Sequence, residues 1–333
     1  MKDKLKNKLS ILLPFMGLIF VLLVFLVFIL IKDPEKLSNF YSFDNFKNIL
    51  KQTVVVGIAA LGMTLVIISG GIDLSAGSVV ALGSVIFAIV LKTGAAEGEV
   101  TVMLVLGAFS ATVAVCALVG FLNGLITAKF DFMPFIVTLG TMQIARGIAK
   151  WIGDNERVRT SRNFFQDFML FQPKQEWLIF APAVWIMILL TIVIALMLKY
   201  TVLGRYIYAI GSNEDTAKLC GINVSKYKIL IYTLCGALTG IAACMFYADA
   251  QVGNPTGAIG LELNIIAAVV IGGASLNGGE GSALGSIIGA LIMAVLDSGC
   301  TQMGVPTFVR EIIIGVIIIL AVGIDKLKHR KTS

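Results

Sequence analysis

Apolar runs of about twenty residues recur along the whole 333-residue chain, parted by short polar stretches. A helix crossing about 30 Å of hydrocarbon needs roughly 20 such residues. The runs at 11–31, 53–69, 76–91, 102–128, 133–151, 178–198, 227–248, 262–276, 281–298 and 307–324 therefore predict about ten transmembrane helices in one all-α, polytopic membrane domain covering 1–333. One stretch breaks the pattern. "ISGGIDLSAGSVVALGS", 68–84, sets an aspartate, serines and four glycines inside a run otherwise apolar enough to cross a membrane.

That stretch has a second copy. Shifted by 202 residues without a gap, "GGIDLSAGSVVALGSVIFA" (70–88) lies over "GGASLNGGEGSALGSIIGA" (272–290) with ten identities in nineteen positions. Matching glycine-interrupted segments in two halves point to a transport pathway at a repeat interface, with interrupted helices around it. Non-helical backbone in hydrocarbon is tolerated only where protein or water covers it, and a carboxylate there is costly. On this reading Asp73, Ser75, Ser275 and Asn277 line a translocation pathway. The other reading is a pair of short cytoplasmic turns in which Asp73 caps the next helix. The sequence leaves both open, and also whether the repeat is parallel or inverted.

Composition agrees with the membrane assignment: 58% of residues are hydrophobic, 14% are charged and the mean hydropathy is +0.94, against about 25% charged in soluble domains. The five cysteines form no CxxC pair and the single histidine, His329, sits in the basic tail "KLKHRK", so neither a metal site nor a cofactor is expected. The N-terminal lysines precede an apolar run longer than a signal h-region, which predicts a retained first helix. Lysine and arginine cluster at the N-terminus, over 199–228 and in the tail; with ten helices all three fall on the cytoplasmic side of a bacterial inner membrane.

The longest inner loop, 199–228, contains "NEDTAKLCG", which reads as a short helix with Asn213 as N-cap, Glu214 and Asp215 in its first turn and Gly221 as terminator. It is either a docking surface or an ordinary connection. "GFLNG", "GALTG" and "GSALGSIIG" carry the small-residue spacing of close helix packing. Arg146 and Lys150 read as snorkelling cations before substrate ligands. The chain has no G-x-x-x-x-G-K-[ST] motif and no GK dipeptide, so it carries no P-loop of its own. Energy has to come from a partner or an ion gradient.

"ISGGIDLSAGS", "TLGTMQIARG", "GRYIYAIGSNEDTAKLCGINVSKYK" and "ELNIIAAVVIGGASLNGGEGSALGSIIGALI", in this order over about 53–325, resemble the permease subunit of binding-protein-dependent ABC importers for monosaccharides, the ribose, xylose and galactose branch, with ribose members nearest. The resemblance implies a homodimeric permease, an ABC ATPase at the cytoplasmic face, an extracytoplasmic binding protein that delivers the sugar, and no enzyme activity or nucleic-acid partner. The family's coupling element carries over to Gly204, Arg205, Ala209, Gly211, Asn213, Ala217 and Gly221. The rival class is an ion-coupled secondary sugar transporter, which would need intramembrane acids beyond Asp73; Asp249, Glu262, Asp297, Arg310 and Glu311 all lie near predicted helix ends.

Overall fold

The computed structural model describes residues 2–95, 99–174 and 178–330, with side chains from Pro14 onward except at 321–322 and 324–330. The N-terminal lysines and the tail around His329 fall outside the described side chains. The helices are α1 (Lys2–Lys32), α2 (Leu37–Phe40), α3 (Phe43–Ile68), α4 (Ala76–Ala95), α5 (Val102–Phe130), α6 (Pro134–Ile152), α7 (Pro182–Tyr200), α8 (Val202–Ser212), α9 (Glu214–Leu219), α10 (Val224–Ala250), α11 (Leu261–Ile271), α12 (Ala283–Gln302) and α13 (Thr307–Arg330). Every predicted span has its helix. Among the described residues, α1, α3, α4, α5, α7, α10 and α12 are long and apolar enough to cross a bilayer.

Local chemistry sets the helix ends. Ser42 accepts the Asn45 amide at 3.1 Å and starts α3 ten residues before the apolar run at 53 begins. Pro134 and Pro182 sit in the first turns of α6 and α7, where a missing N–H costs nothing. α3 and α10 form the centre: α10 packs on α5, α3 and α4, while α3 also meets α12, α11 and α7. The small-residue motifs face one another. Gly124 lets the Ile229 backbone approach, and Gly240 does the same for Val113; any side chain there would part the two helices. Gly285 and Gly289 of α12 do the same against α11.

One predicted span, 262–276, is helical only as far as Ile271. α11 has 11 residues, about 16 Å long. The chain before it runs alongside α4 as non-helical backbone: Gly253 packs on Ala88, the Asn254 amide reaches Ser84 Oγ at 3.3 Å, and Ala258 lies beside Gly77. From Ala88 to Gly77 is about 16 Å of helix. A non-helical segment packed on α4 thus precedes the helix, and the apolar pattern shows only the helical part. Arg146, expected to snorkel, instead donates to the carbonyls of Pro255 at 3.0 Å and Gly257 at 2.5 Å, satisfying acceptors that non-helical backbone leaves open. Lys150 is exposed. At the other end of this non-helical run, Val252 and Gly253 pair antiparallel with Arg159 and Val158, the only strands among the described residues.

Candidate functional site

The first break follows a complete helix. α3 ends in a Schellman motif, with the Gly71 amide on the Val66 carbonyl, the Gly70 amide on the Ile67 carbonyl (both 2.9 Å) and Gly70 at φ +84°. The chain then rises between α5 and α6 without helical hydrogen bonds. The Thr138 hydroxyl donates to the Ile72 carbonyl at 3.3 Å. Asp73, 4% exposed, accepts from both the amide and the hydroxyl of Ser75, at 2.8 and 2.5 Å. Asn123 donates to Ser75 Oγ at 3.1 Å, and Thr141 donates to Asn123 Oδ1 at 2.6 Å. Thr141, Asn123 and Ser75 thus pass hydrogen bonds one way toward the carboxylate, joining α6, α5 and the start of α4. Asn123 lies seven residues, about 10 Å, inside the end of α5. Asp73 thus makes a buried turn with Ser75 just before α4. Asn123 and Thr141 carry no sequence signal that sets them apart from packing residues.

The second break repeats the geometry. α11 also ends in a Schellman motif, with Ala274 on the Val269 carbonyl and Gly273, φ +92°, on that of Val270. Its left-handed glycine is displaced by one residue from the gapless alignment, yet the next turn is back in register. The Asn277 amide donates to Ser275 Oγ at 3.3 Å, as Ser75 does to Asp73. After this turn the copies part: α4 starts at once, whereas Gly278, Gly279 and Gly281 take positive φ before Ser282 caps α12. Ser275 is fully buried and Asn277 is exposed. Of the four pathway candidates, the structure places Asp73 and Ser75 in one buried network and leaves Asn277 outside it.

The two breaks meet each other and the loop at 199–228. The Gly279 amide donates to the Ile68 carbonyl at 2.8 Å, and Tyr208 of α8 donates to the Gly281 carbonyl at 2.8 Å. Gly211, near the end of α8, fills the remaining gap. A Cβ there would overlap the Ile68 carbonyl oxygen and lie 2.7 Å from the Gly279 nitrogen.

The 199–228 loop is largely helical. Thr201 accepts the Gly204 amide at 3.1 Å to start α8, and Gly204 packs on the Leu198 backbone. Asn213 accepts the Thr216 amide at 2.8 Å, capping α9, and Gly221 at φ +81° ends it, as its sequence predicts. Ala217 is buried with Ile210 and Val224, and Ala209 is half-buried. These residues shape the segment from within. Its outer face carries Arg205, Asn213, Asp215 and Leu219. Leu219 is 89% exposed, an apolar side chain that the glycine and capping pattern does not single out.

Glu214 ties α9 down, meeting Lys228 at 2.6 Å and Lys218 at 3.1 Å. Burial pushes its carboxyl up, but the hydrogen bonds from Lys228 and Lys218 outweigh this and hold it below the usual range. Two of the carboxylates that an ion-coupled carrier could use are paired, Asp249 with Lys51 at 2.8 Å and Asp297 with Arg310, whereas Glu262 Oε2 is buried without a hydrogen-bond partner among the described residues. Among the described residues no group of three His, Cys, Asp or Glu could hold a metal ion.

An all-α bundle of long apolar helices with an interrupted segment and a buried polar network is the architecture of a polytopic membrane protein. The family of permease components of branched-chain amino acid transport systems matches residues 45–322, and the chain belongs to it. It is 40% identical over 295 residues to the ribose import permease of Escherichia coli K12, covering 87% of this chain and 88% of that one. The ribose import permease of Bacillus subtilis 168 is 36% identical over 315 residues, 95% and 92% of the two chains. The fructose import permease of Rhizobium meliloti is 36% identical over 298 residues, 87% and 79%. No solved structure matches the chain.

Proposed function

We propose that this chain is the membrane-spanning subunit of an ATP-driven importer that brings a neutral monosaccharide, ribose or a close relative, into the cytoplasm. A separate ABC ATPase binds the face formed by α8 and α9, an extracytoplasmic binding protein delivers the sugar, and a second copy of the chain completes the pathway. Both termini and the 199–228 segment lie on the cytoplasmic side. The single observation that carries this reading is Gly211: the docking segment touches the end of α3 just before the first repeat copy and a turn within the second copy at one point, so a push there is felt by both. Close-packed backbone without an intervening side chain transmits small displacements instead of absorbing them. Relatives named for ribose and fructose import support the choice of sugar.

Asp73, Ser75 and Ser275 act in this reading beside the pathway, holding non-helical backbone in a defined shape while helices reorient. Asn277, on the exposed side of its turn, meets the partner subunits. The test is reconstitution. The complex with its ATPase and binding protein should take up sugar with ATP inside vesicles and keep doing so after proton and sodium gradients collapse. Gradient-driven uptake by this subunit alone would sink the proposal.

A further inference from the structure

Three side chains of one helix, α6, reach non-helical backbone in both halves of the chain. Thr138 brings its hydroxyl to 3.3 Å from the Ile72 carbonyl, and Thr141 donates to Asn123, which donates to Ser75. Five residues on, about 7.5 Å along the helix, Arg146 donates from Nη1 to the carbonyls of both Pro255 and Gly257. One rigid element thus holds the segment before α4 and the segment before α11. The second segment needs an outside donor. Shifted by 202 residues, 252–260 corresponds to 50–58, which lie inside α3 and satisfy their own carbonyls. Here the chain leaves the helix instead, with Gln251, Ala258 and Gly260 at φ +58°, +55° and +76°. A left-handed alanine is strained, and such strain persists only where the surroundings fix it. The charge of Arg146 is also answered. Glu262 lies within electrostatic reach of it, and its Oε2 is buried against Gly77 of α4, so closely that a Cβ there would overlap it, with no hydrogen-bond partner among the described residues. A charge held away from water without its counter-charge is costly, so the pair fixes itself as well as the segment.

We infer that α6 is a shared clamp on the translocation pathway and that Arg146 is its positioning residue: the arginine, balanced by Glu262, sets where residues 252–260 stand, while Thr138 and Thr141 set the first break. The inference deepens the transport reading above and rests on it. A displacement of α6 moves the non-helical backbone of both halves in one step. This is a second link between the halves, separate from the Gly211 junction and made by polar side chains instead of bare backbone.

The experiment uses the full complex in proteoliposomes, with ATP inside and labelled ribose, fructose and galactose outside, and compares Arg146→Met, the double variant Arg146→Met with Glu262→Gln, and Arg146→Lys. Arg146→Met leaves two carbonyls without a donor and Glu262 without its counter-charge, so the melting temperature should drop and uptake should fall at least about tenfold. The double variant separates the two effects. Removing the stranded charge should return the melting temperature toward wild type, whereas uptake should stay at least about tenfold down because no donor holds the segment. Arg146→Lys should keep uptake within about threefold of wild type, since both bonds come from one nitrogen and the guanidinium fork is not used. Uptake that recovers together with the melting temperature in the double variant would reduce the pair to a stabilising contact and overturn the inference, as would undiminished uptake in Arg146→Met. If Arg146→Met does not fold, Thr256→Cys decides in the otherwise unaltered segment, where position 256 is exposed and Cys220→Ser removes the exposed native thiol. Its reaction rate with a membrane-impermeant thiol reagent should shift when ATP is trapped, and equal rates in the two states would show a segment that does not move and overturn the clamp. If the unaltered complex moves none of the three sugars, the transport reading falls and takes the clamp with it.

Discussion

The amide of Gly279 donates to the carbonyl of Ile68 across 2.8 Å, joining the second copy of the internal repeat to the last turn before the first. The copies stand 202 residues apart in sequence, and only a fold that returns α12 to α3 brings them together. Gly211 of α8 closes the same junction.

Gly211→Val should therefore uncouple the transporter. A side chain there overlaps the Ile68 carbonyl, so α8 has to lift away from both breaks. We expect ATP hydrolysis by the assembled complex to persist while sugar uptake falls more than tenfold. Gly211→Ala should show a smaller loss in the same direction. Equal uptake in Gly211→Val and wild type would remove this contact from the coupling route.

Asp73 separates charge from hydrogen bonding. Asp73→Asn keeps an acceptor for Ser75 and should leave thermal stability within about 1 kcal/mol of wild type, whereas Asp73→Ala strands the Ser75 amide and hydroxyl and should cost about 1–3 kcal/mol. Uptake should drop several-fold even in Asp73→Asn, because the chain keeps a carboxylate at depth at a cost of at least about 2.5 kcal/mol. Detergent-stable Asp73→Asn permease with undiminished uptake would reduce the aspartate to a cap.

Leu219 should be an anchor for the ATPase. Its apolar side chain is 89% exposed at the end of α9 and is open to be covered by a partner surface. Leu219→Asp should lower the affinity of permease for ATPase at least tenfold in a pull-down or titration, with no change in melting temperature. In contrast Ala217→Glu places a charge against Ile210 and Val224 and should loosen α9 itself. Identical behaviour of the two variants would contradict this division of faces.

The Glu214 to Lys228 link predicts a pH dependence with a definite sign. The folded carboxyl is held below its ordinary value by its lysines, against the opposing effect of burial. Its stabilising contribution is then present above about pH 4.3, the unfolded value, and is lost as pH falls through the lower folded one. At neutral pH, Glu214→Gln should speed hydrogen exchange at the amides of 216–221, and this difference from wild type should vanish in acid. A difference that grows on acidification would show that the pair opposes folding of α9.

The amino-acid pattern by itself determined the helices, the repeat and the cap-to-terminator plan of α9, because each depends on residues within one turn or one apolar run. Asn213 and Gly221 are legible for that reason: a capping side chain and a left-handed glycine act on their immediate neighbours. The non-helical segment packed on α4 before α11 was not legible. Its length came from polar and glycine residues that hydropathy counts as loop, and its burial depends on α4 beside it and on Arg146 from α6. Tertiary structure alone decided that Asn123 and Thr141 complete the Asp73 network, that Ala217 faces inward while Leu219 faces out, and that Ile68, Gly211 and Gly279 meet at one point. Each of these pairs residues distant in sequence, and the physical requirement behind them, a partner for every buried donor and acceptor, names no particular partner until the helices are packed.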